Sequence, residues 1–319
     1  MTKKAAIYLS VSVLLLTGCN LARPASPLPS PTILIISPTP ATASPTVASP
    51  TPPPAPSPTL PAPTATTGSL IRPGSPSGPY AVVLVSPTDV LNIRSGPEVD
   101  QAIIGSFAAT ETAVMRTGRS ATVGDDLWVE VQKPGGGTGW VNAYYLTEYV
   151  PPATFCADNR VTDLINNLDG ALTSNNGVQL AALVSPAHGM TVFLSRYSGK
   201  SVTFWPEDAR WVFDSTYEHN WGMHPASGLE ITGSFQDAVL PKLQDVFDAT
   251  YTLTCNSLGT APQYGFSPWP EEYANVNYYT VLKPGTPGID LDWRYWLVGV
   301  EYIQGRPYIF ALIHFEWEP

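Results

Sequence analysis

Sixty consecutive residues, 20–79, contain no acidic side chain and no aromatic ring, and their only charges are Arg23 and Arg72. A segment so poor in large apolar side chains cannot bury enough surface to offset chain entropy, so it is excluded from any folded core. The whole chain is short of charge at 13 %, and basic residues are the scarcer sign. From residue 80 onward 12 Lys and Arg face 26 Asp and Glu, a balance of −14 with His neutral. Nucleic-acid binding depends on cations that neutralise phosphates, and no basic stripe exists to do so. There are three cysteines and four histidines in 319 residues. No apolar run approaches the about 20 residues that a helix needs to cross a bilayer.

What is present is unevenly distributed. Residues 20–79 hold 18 of the 34 prolines, and Pro, Ser, Thr and Ala fill 44 of those 60 positions. This is the composition of an extended, disordered tether, reaching on the order of 180 Å at about 3.1 Å per residue. Ahead of it, Met1-Thr2-Lys3-Lys4 is basic and Ala5–Leu16 is mostly apolar, the layout of a secretory leader. Leu16-Thr17-Gly18-Cys19 closes that leader and resembles the bacterial lipobox. The resemblance implies a signal peptide over 1–18, with Cys19 as the lipid attachment site and mature N-terminus. Buried acyl chains contribute about 0.8 kcal/mol per CH₂ to membrane anchoring. The expected location is the cell membrane, lipid-anchored on the extracytoplasmic side, with the lipid bilayer as the first partner. In that compartment Cys156 and Cys255 are expected to form a disulfide.

From Tyr80 the texture changes to short apolar runs separated by Gly and Pro turns, the pattern of a small all-β unit. Within Leu91-Asn92-Ile93-Arg94, alternation sends Leu91 and Ile93 inward and Asn92 and Arg94 outward. Asn92-Ile93-Arg94-Ser95-Gly96-Pro97, Ile104-Gly105, Trp128–Val131, Gly139-Trp140-Val141 and Tyr145-Leu146 occur in the order that resembles the bacterial Src-homology-3-like (SH3b) domain. That family often binds cell-wall peptide or peptidoglycan. The resemblance covers residues 80–149 and implies a small SH3-like barrel. Its groove would draw on Trp128, Asp125, Asp126, Tyr144 and Tyr145, with Trp140 as core.

Residues 155–319 carry 26 aromatic residues and every histidine. Val161, Leu164, Ile165, Leu168 and Leu172 mark one face of an amphipathic helix, capped by Asp158 and stopped at Asn175-Asn176-Gly177. Ser234–Phe247 reads as helical, with Pro241 opposing continuity. Trp293–Ile303 and Arg306–Trp317 flank Gln304-Gly305 as a long hairpin. If that turn sets the register, paired residue numbers sum to 609. Tyr295 and Trp293 then share a face with His314 and Glu316. Helices followed by a sheet that ends in such a hairpin resemble the cone-shaped nuclear-transport-factor-2-like fold. The pocket candidates are Tyr295, His314, Glu316, Trp293 and His219.

Three catalytic or metal constellations fail on their chemistry. Cys255 with His314 would need a helix N-terminus after the thiol to favour the thiolate, and Asn256-Ser257-Leu258-Gly259 reads as a loop. His219 and His224, with Glu218 beside them, lack a third and a fourth zinc ligand. Asp290 and Asp292 fall short of the six to eight oxygens calcium takes. The sequence thus reads as a multidomain chain: signal peptide 1–18, lipidated Cys19 and disordered Pro-rich tether to 79, an all-β SH3-like barrel over 80–149, and an α+β domain over 155–319 with helices packed on a curved antiparallel sheet. The expected function is non-enzymatic, without cofactor or metal, engaging peptidoglycan or a protein partner. The alternatives are an extracellular enzyme sited in the C-terminal pocket, or protein-interaction modules alone.

Overall fold

A computed structural model describes residues 78–317, apart from 196–198, 225, 264–266 and 290. The expected leader, Cys19 and the proline-rich segment up to residue 77 lie outside the described residues.

The first module is built from β1 (Tyr80–Val82), β2 (Val90–Arg94), β3 (Ile103–Ala108), β4 (Arg116–Val123), β5 (Asp126–Gln132), β6 (Thr138–Asn142) and β7 (Leu146–Glu148). Five strands form one sheet in the order β3-β2-β6-β5-β4, and β1 pairs separately with β7. Leu91 and Ile93 enter a core with Phe107, Val129, Val131 and Val141, as their alternation requires. The expected barrel is not closed. Among the described residues β3 and β4 are left as sheet edges. The chain entering at Tyr80 pairs with Glu148 and bridges to Val114 instead of joining those edges.

The second module begins with α1 (Pro152–Cys156), α2 (Asn159–Thr173) and α3 (Gly177–Leu183). Asp158 caps α2 by accepting the Arg160 N–H at 3.0 Å, and Asn176 caps α3 by accepting that of Gln179 at 3.0 Å. All five residues of the α2 stripe are buried. Then follow β8 (Met190–Phe193), β9 (Val202–Phe204), α4 (Pro206–Ala209), β10 (His219–Met223) and β11 (Glu230–Gly233). A π-turn over Phe235–Val239 leads into α5 (Leu240–Phe247), so Pro241 sits in a first helical turn, where its missing N–H costs nothing. The chain ends with β12 (Thr252–Cys255), β13 (Asn277–Lys283), β14 (Arg294–Ile303) and β15 (Arg306–Glu316). Cys156 and Cys255 are joined as a disulfide, with their Cα atoms 5.7 Å apart.

The main sheet has the order β12-β13-β14-β15-β8-β9. It is mixed, where an antiparallel sheet was expected, because β15 and β8 run parallel. No tight turn joins those two strands, so turn geometry does not dictate their direction. Helices α2, α3 and α5 cover one face together with Trp296, Val298, Val300 and Tyr302. The other face is also closed: Tyr295, Leu297, Phe310, Ile313 and Phe315 pack on Ala261, Trp269, Tyr273 and Val276, and on Val83 from the first module.

The final hairpin follows the expected register from Ile303↔Arg306 to Val300↔Ile309, then shifts by one residue at Gly299↔Ala311. Phe310 is the extra residue of a β-bulge, and every pair beyond it slips by one. Gly299 makes the bulge fit: a Cβ there would lie 2.5 Å from Cη2 of Trp269. As a result Trp296 faces His314, and Tyr295 faces Phe315.

Candidate functional site

A groove of about 510 Å³ opens on the first module between the Leu84–Ser86 turn, β2, the start of β5 and the end of β6. Asp126 stands at its rim and accepts a hydrogen bond from Asn142 Nδ2 at 3.0 Å. The other end of the same amide, Asn142 Oδ1, accepts the Tyr144 N–H at 2.9 Å. It thereby caps the short turn Ala143–Tyr145 that delivers the Tyr145 ring to the groove. Arg94 Nη1 is steadied on the Gln101 carbonyl at 2.9 Å. Asp89 and Val99 complete the exposed rim, and Trp128, only 3 % exposed, forms part of the floor. The groove therefore sets two carboxylates and one guanidinium around an apolar and aromatic base.

Of the residues expected here, Trp128, Asp126 and Tyr145 line the groove. Asp125 is exposed in the turn before β5, outside that lining. Tyr144 turns its ring onto His188, at 5.3 Å between centroids, and burial raises its pKa, with the Tyr145 and Glu301 charges adding. Trp140, read as core, is half-buried beneath the Arg119 guanidinium, 5.6 Å from it. Asp89, Asn92, Arg94 and Asn142 were missed as groove residues. The outward positions of the Asn92–Pro97 motif carried the signal for two of them.

The C-terminal candidates do not converge. Trp293, Tyr295 and Phe315 stack in series at 5.8 and 4.7 Å on one face of the main sheet. The bulge puts His314 on the opposite face, against Trp296 at 4.8 Å, with Nδ1 on the Leu194 carbonyl at 3.2 Å. Burial, reinforced by Lys242, pushes His314 down to about 3, so its ring is neutral. Glu316 pairs with Lys242 at 2.5 Å and with Arg294 at 3.3 Å. Burial raises its pKa, but the Lys242 and Arg294 ion pairs outweigh that and leave it lowered. His219 lies elsewhere, on β10 among Phe204, Tyr217 and Trp221. Among the described residues no three His, Cys, Asp or Glu side chains are grouped to hold a metal.

One polar cluster went unforeseen, where the two modules meet. Glu301 of β14 is 2 % exposed and accepts hydrogen bonds from Ser185 Oγ, from Thr147 Oγ1 at 3.0 Å and from His188 Nδ1 at 2.8 Å. His188 Nε2 reaches the Tyr144 carbonyl at 2.9 Å. Both ring nitrogens face acceptors, so both donate and the ring is an imidazolium. Burial opposes that charge, but Glu301 and the Tyr144 carbonyl outweigh it and raise the pKa. Around this pair, Leu84 N–H donates to the Glu272 carbonyl, Asn275 Nδ2 to the Val82 carbonyl and Asn277 Nδ2 to the Val150 carbonyl, at 2.8–2.9 Å. Leu84 and Tyr145, both groove residues, thus sit on segments gripped by the second module.

Residues 89–147 match the family model described as the bacterial SH3 domain. No curated protein and no solved structure matches the chain.

Proposed function

We propose that this protein is a non-enzymatic, lipid-anchored surface protein that holds cell-wall peptide in the groove of its SH3 module. The bacterial SH3 match is consistent with a module for peptidoglycan or a protein partner. The observation that favours peptide is the charge layout: Asp89 and Asp126 share one groove with Arg94. A short wall peptide with free amino and carboxyl groups presents the complementary pair of charges. Trp128 and Tyr145 supply apolar contact between them. The lipobox-like Leu16–Cys19 supports the anchor, and the proline-rich segment supports a spacer between membrane and wall.

The test is co-sedimentation of the detergent-solubilised full chain with purified sacculi. Asp126→Ala, at the exposed rim, and Arg94→Ala, at a half-buried position, are each expected to weaken binding by about tenfold or more, with the Asp126→Ala melt unchanged. Wild-type affinity in both variants would overturn the groove assignment. For the anchor, Cys19→Ala is expected to move the protein from the membrane fraction to the soluble one. Retention in the membrane would remove lipidation from the reading.

A further inference from the structure

The second module carries a cleft of about 290 Å³ far in sequence from the SH3 groove. Its floor is Phe204 and Phe235, buried and meeting edge-to-face at 5.4 Å. Its rim is two aromatic side chains left largely in water, Trp211 at 62 % exposure and Tyr217 at 70 %. Large exposed aromatics clustered at a concavity mark a binding surface, since each leaves apolar area unburied. Trp211 lies in a turn closed by its N–H to the Asp208 carbonyl at 2.9 Å and by the Ser215 N–H to its own carbonyl at 2.8 Å. The turn fixes the Trp211 backbone beside the cleft, which the exposed side chain lines. Trp211 also lines a second space of about 490 Å³ beside α4, which Glu207 and Arg210 border.

We propose that the surface spanned by Tyr217 and Trp211 binds a saccharide chain, with sugar rings laid on the two aromatic faces. Two features select this ligand class. The rings offer flat apolar faces that match the C–H face of a pyranose. Beside them stand hydrogen-bonding groups that suit hydroxyls: the Asp208 carboxylate, with one oxygen on the Trp205 N–H at 3.2 Å, and the His219 ring, whose pKa burial lowers against the opposing Asp208 charge. Fixed charges of both signs, Asp208, Glu207 and Arg210, border the surface. All three offer hydrogen-bond donors or acceptors to the hydroxyls of a polyhydroxylated chain. A purely hydrocarbon ligand would strip water from Asp208 with nothing in exchange. The two spaces share Trp211, which accounts for a chain rather than a single ring.

The experiment is a titration of the full chain, in a sugar-free detergent, with N-acetylglucosamine trimer, read by tryptophan fluorescence and calorimetry. Saturable binding is expected, with Trp211→Ala and Tyr217→Ala each weakening it by about tenfold or more. Both side chains are exposed, so the melts of the variants should match wild type, and either variant alone suffices if the other folds poorly. Asp126→Ala in the SH3 groove is expected to bind the trimer normally, which separates this site from the wall-peptide reading. No saturable response up to about 10 mM, unchanged affinity in the two ring variants, or displacement of the trimer by tetramethylammonium or a short acidic peptide would each overturn the proposal.

Discussion

Replacing Glu301 with alanine is expected to destabilise the folded region by about 3–5 kcal/mol, measured by chemical denaturation. The His188 imidazolium, 3 % exposed, would lose its counter-charge while Ser185 Oγ and Thr147 Oγ1 lost their acceptor. A buried charge left without its partner is the costliest outcome for such a pair, well beyond the modest net worth of the intact pair. The lost bonds also span the two modules, Thr147 and the Tyr144 carbonyl on one side, Ser185, His188 and Glu301 on the other. Unfolding of the variant should therefore separate into two transitions where the native chain shows one. A loss below about 1 kcal/mol would mean the pair behaves as a surface ion pair and does not join the modules. The Glu301→Gln variant, which keeps an acceptor but no charge, should fall between alanine and wild type.

The same pair makes stability depend on pH in a definite direction. His188 is raised above its ordinary value of 6.5 in the folded chain. Its contribution is fully present below that value and is lost as pH rises through the higher folded one. Glu148, beside it, is raised as well. Burial is the main cause and Glu301 repulsion adds to it, against the Gln304 and Gly305 N–H groups and Arg116, which lower it. Tyr144 titrates above its usual range and is silent near neutrality. Stability should thus decline from neutral to alkaline pH. In His188→Gln that alkaline decline should flatten, while the part owed to Glu148 in the acid range persists.

The contrast between what was readable and what was not follows sequence distance. Helix α2 was visible because its apolar stripe, Asp158 cap and Asn175–Gly177 stop all act within one or two turns. Gln304-Gly305 was visible for the same reason, and Glu148 fastens that turn by accepting both of its N–H groups at 2.6 and 2.9 Å. The bulge at Phe310 was not, since it depends on Gly299 making room for Trp269, thirty residues upstream in the chain. One inserted residue then moved His314 to the face opposite Tyr295 and dispersed the pocket drawn from a simple register. The parallel β8–β15 pair was hidden similarly, by more than a hundred intervening residues. In the SH3 groove the motif residues were legible, but Asp126 meets Asn142 only across neighbouring strands. Nothing local marks Thr147, Ser185, His188 and Glu301 as one cluster.

Removing the disulfide by the double change Cys156→Ser, Cys255→Ser should cost up to about 4.7 kcal/mol, the chain-entropy value for a loop near 100 residues. The sequence separation is 99, so the reduced, unfolded chain regains the freedom of a loop holding most of the second module. Where the bond sits determines what loosens first. Cys255 ends β12, a four-residue edge strand whose residues are only partly buried and which pairs with β13 alone. Cys156 ends α1, which has an independent hold: Phe155 is fully buried against Tyr279 at 5.5 Å and Tyr302 at 6.4 Å. The helix should therefore stay docked while β12 frays, retained by its ladder to β13, the Asn256 N–H on the Tyr278 carbonyl and Asn256 Nδ2 on Asn277 Oδ1 at 2.8 Å. Hydrogen exchange should show lost protection over 252–255 with β14 and β15 unchanged, alongside a lower melting temperature. Thiol titration of the unreduced, unfolded native chain should find neither cysteine free. Two titratable thiols, or equal stability with and without reductant, would refute the bond's role. Because β12 borders β13 and not the hairpin that carries Glu301, the two losses should add within a few tenths of a kcal/mol in the combined variant.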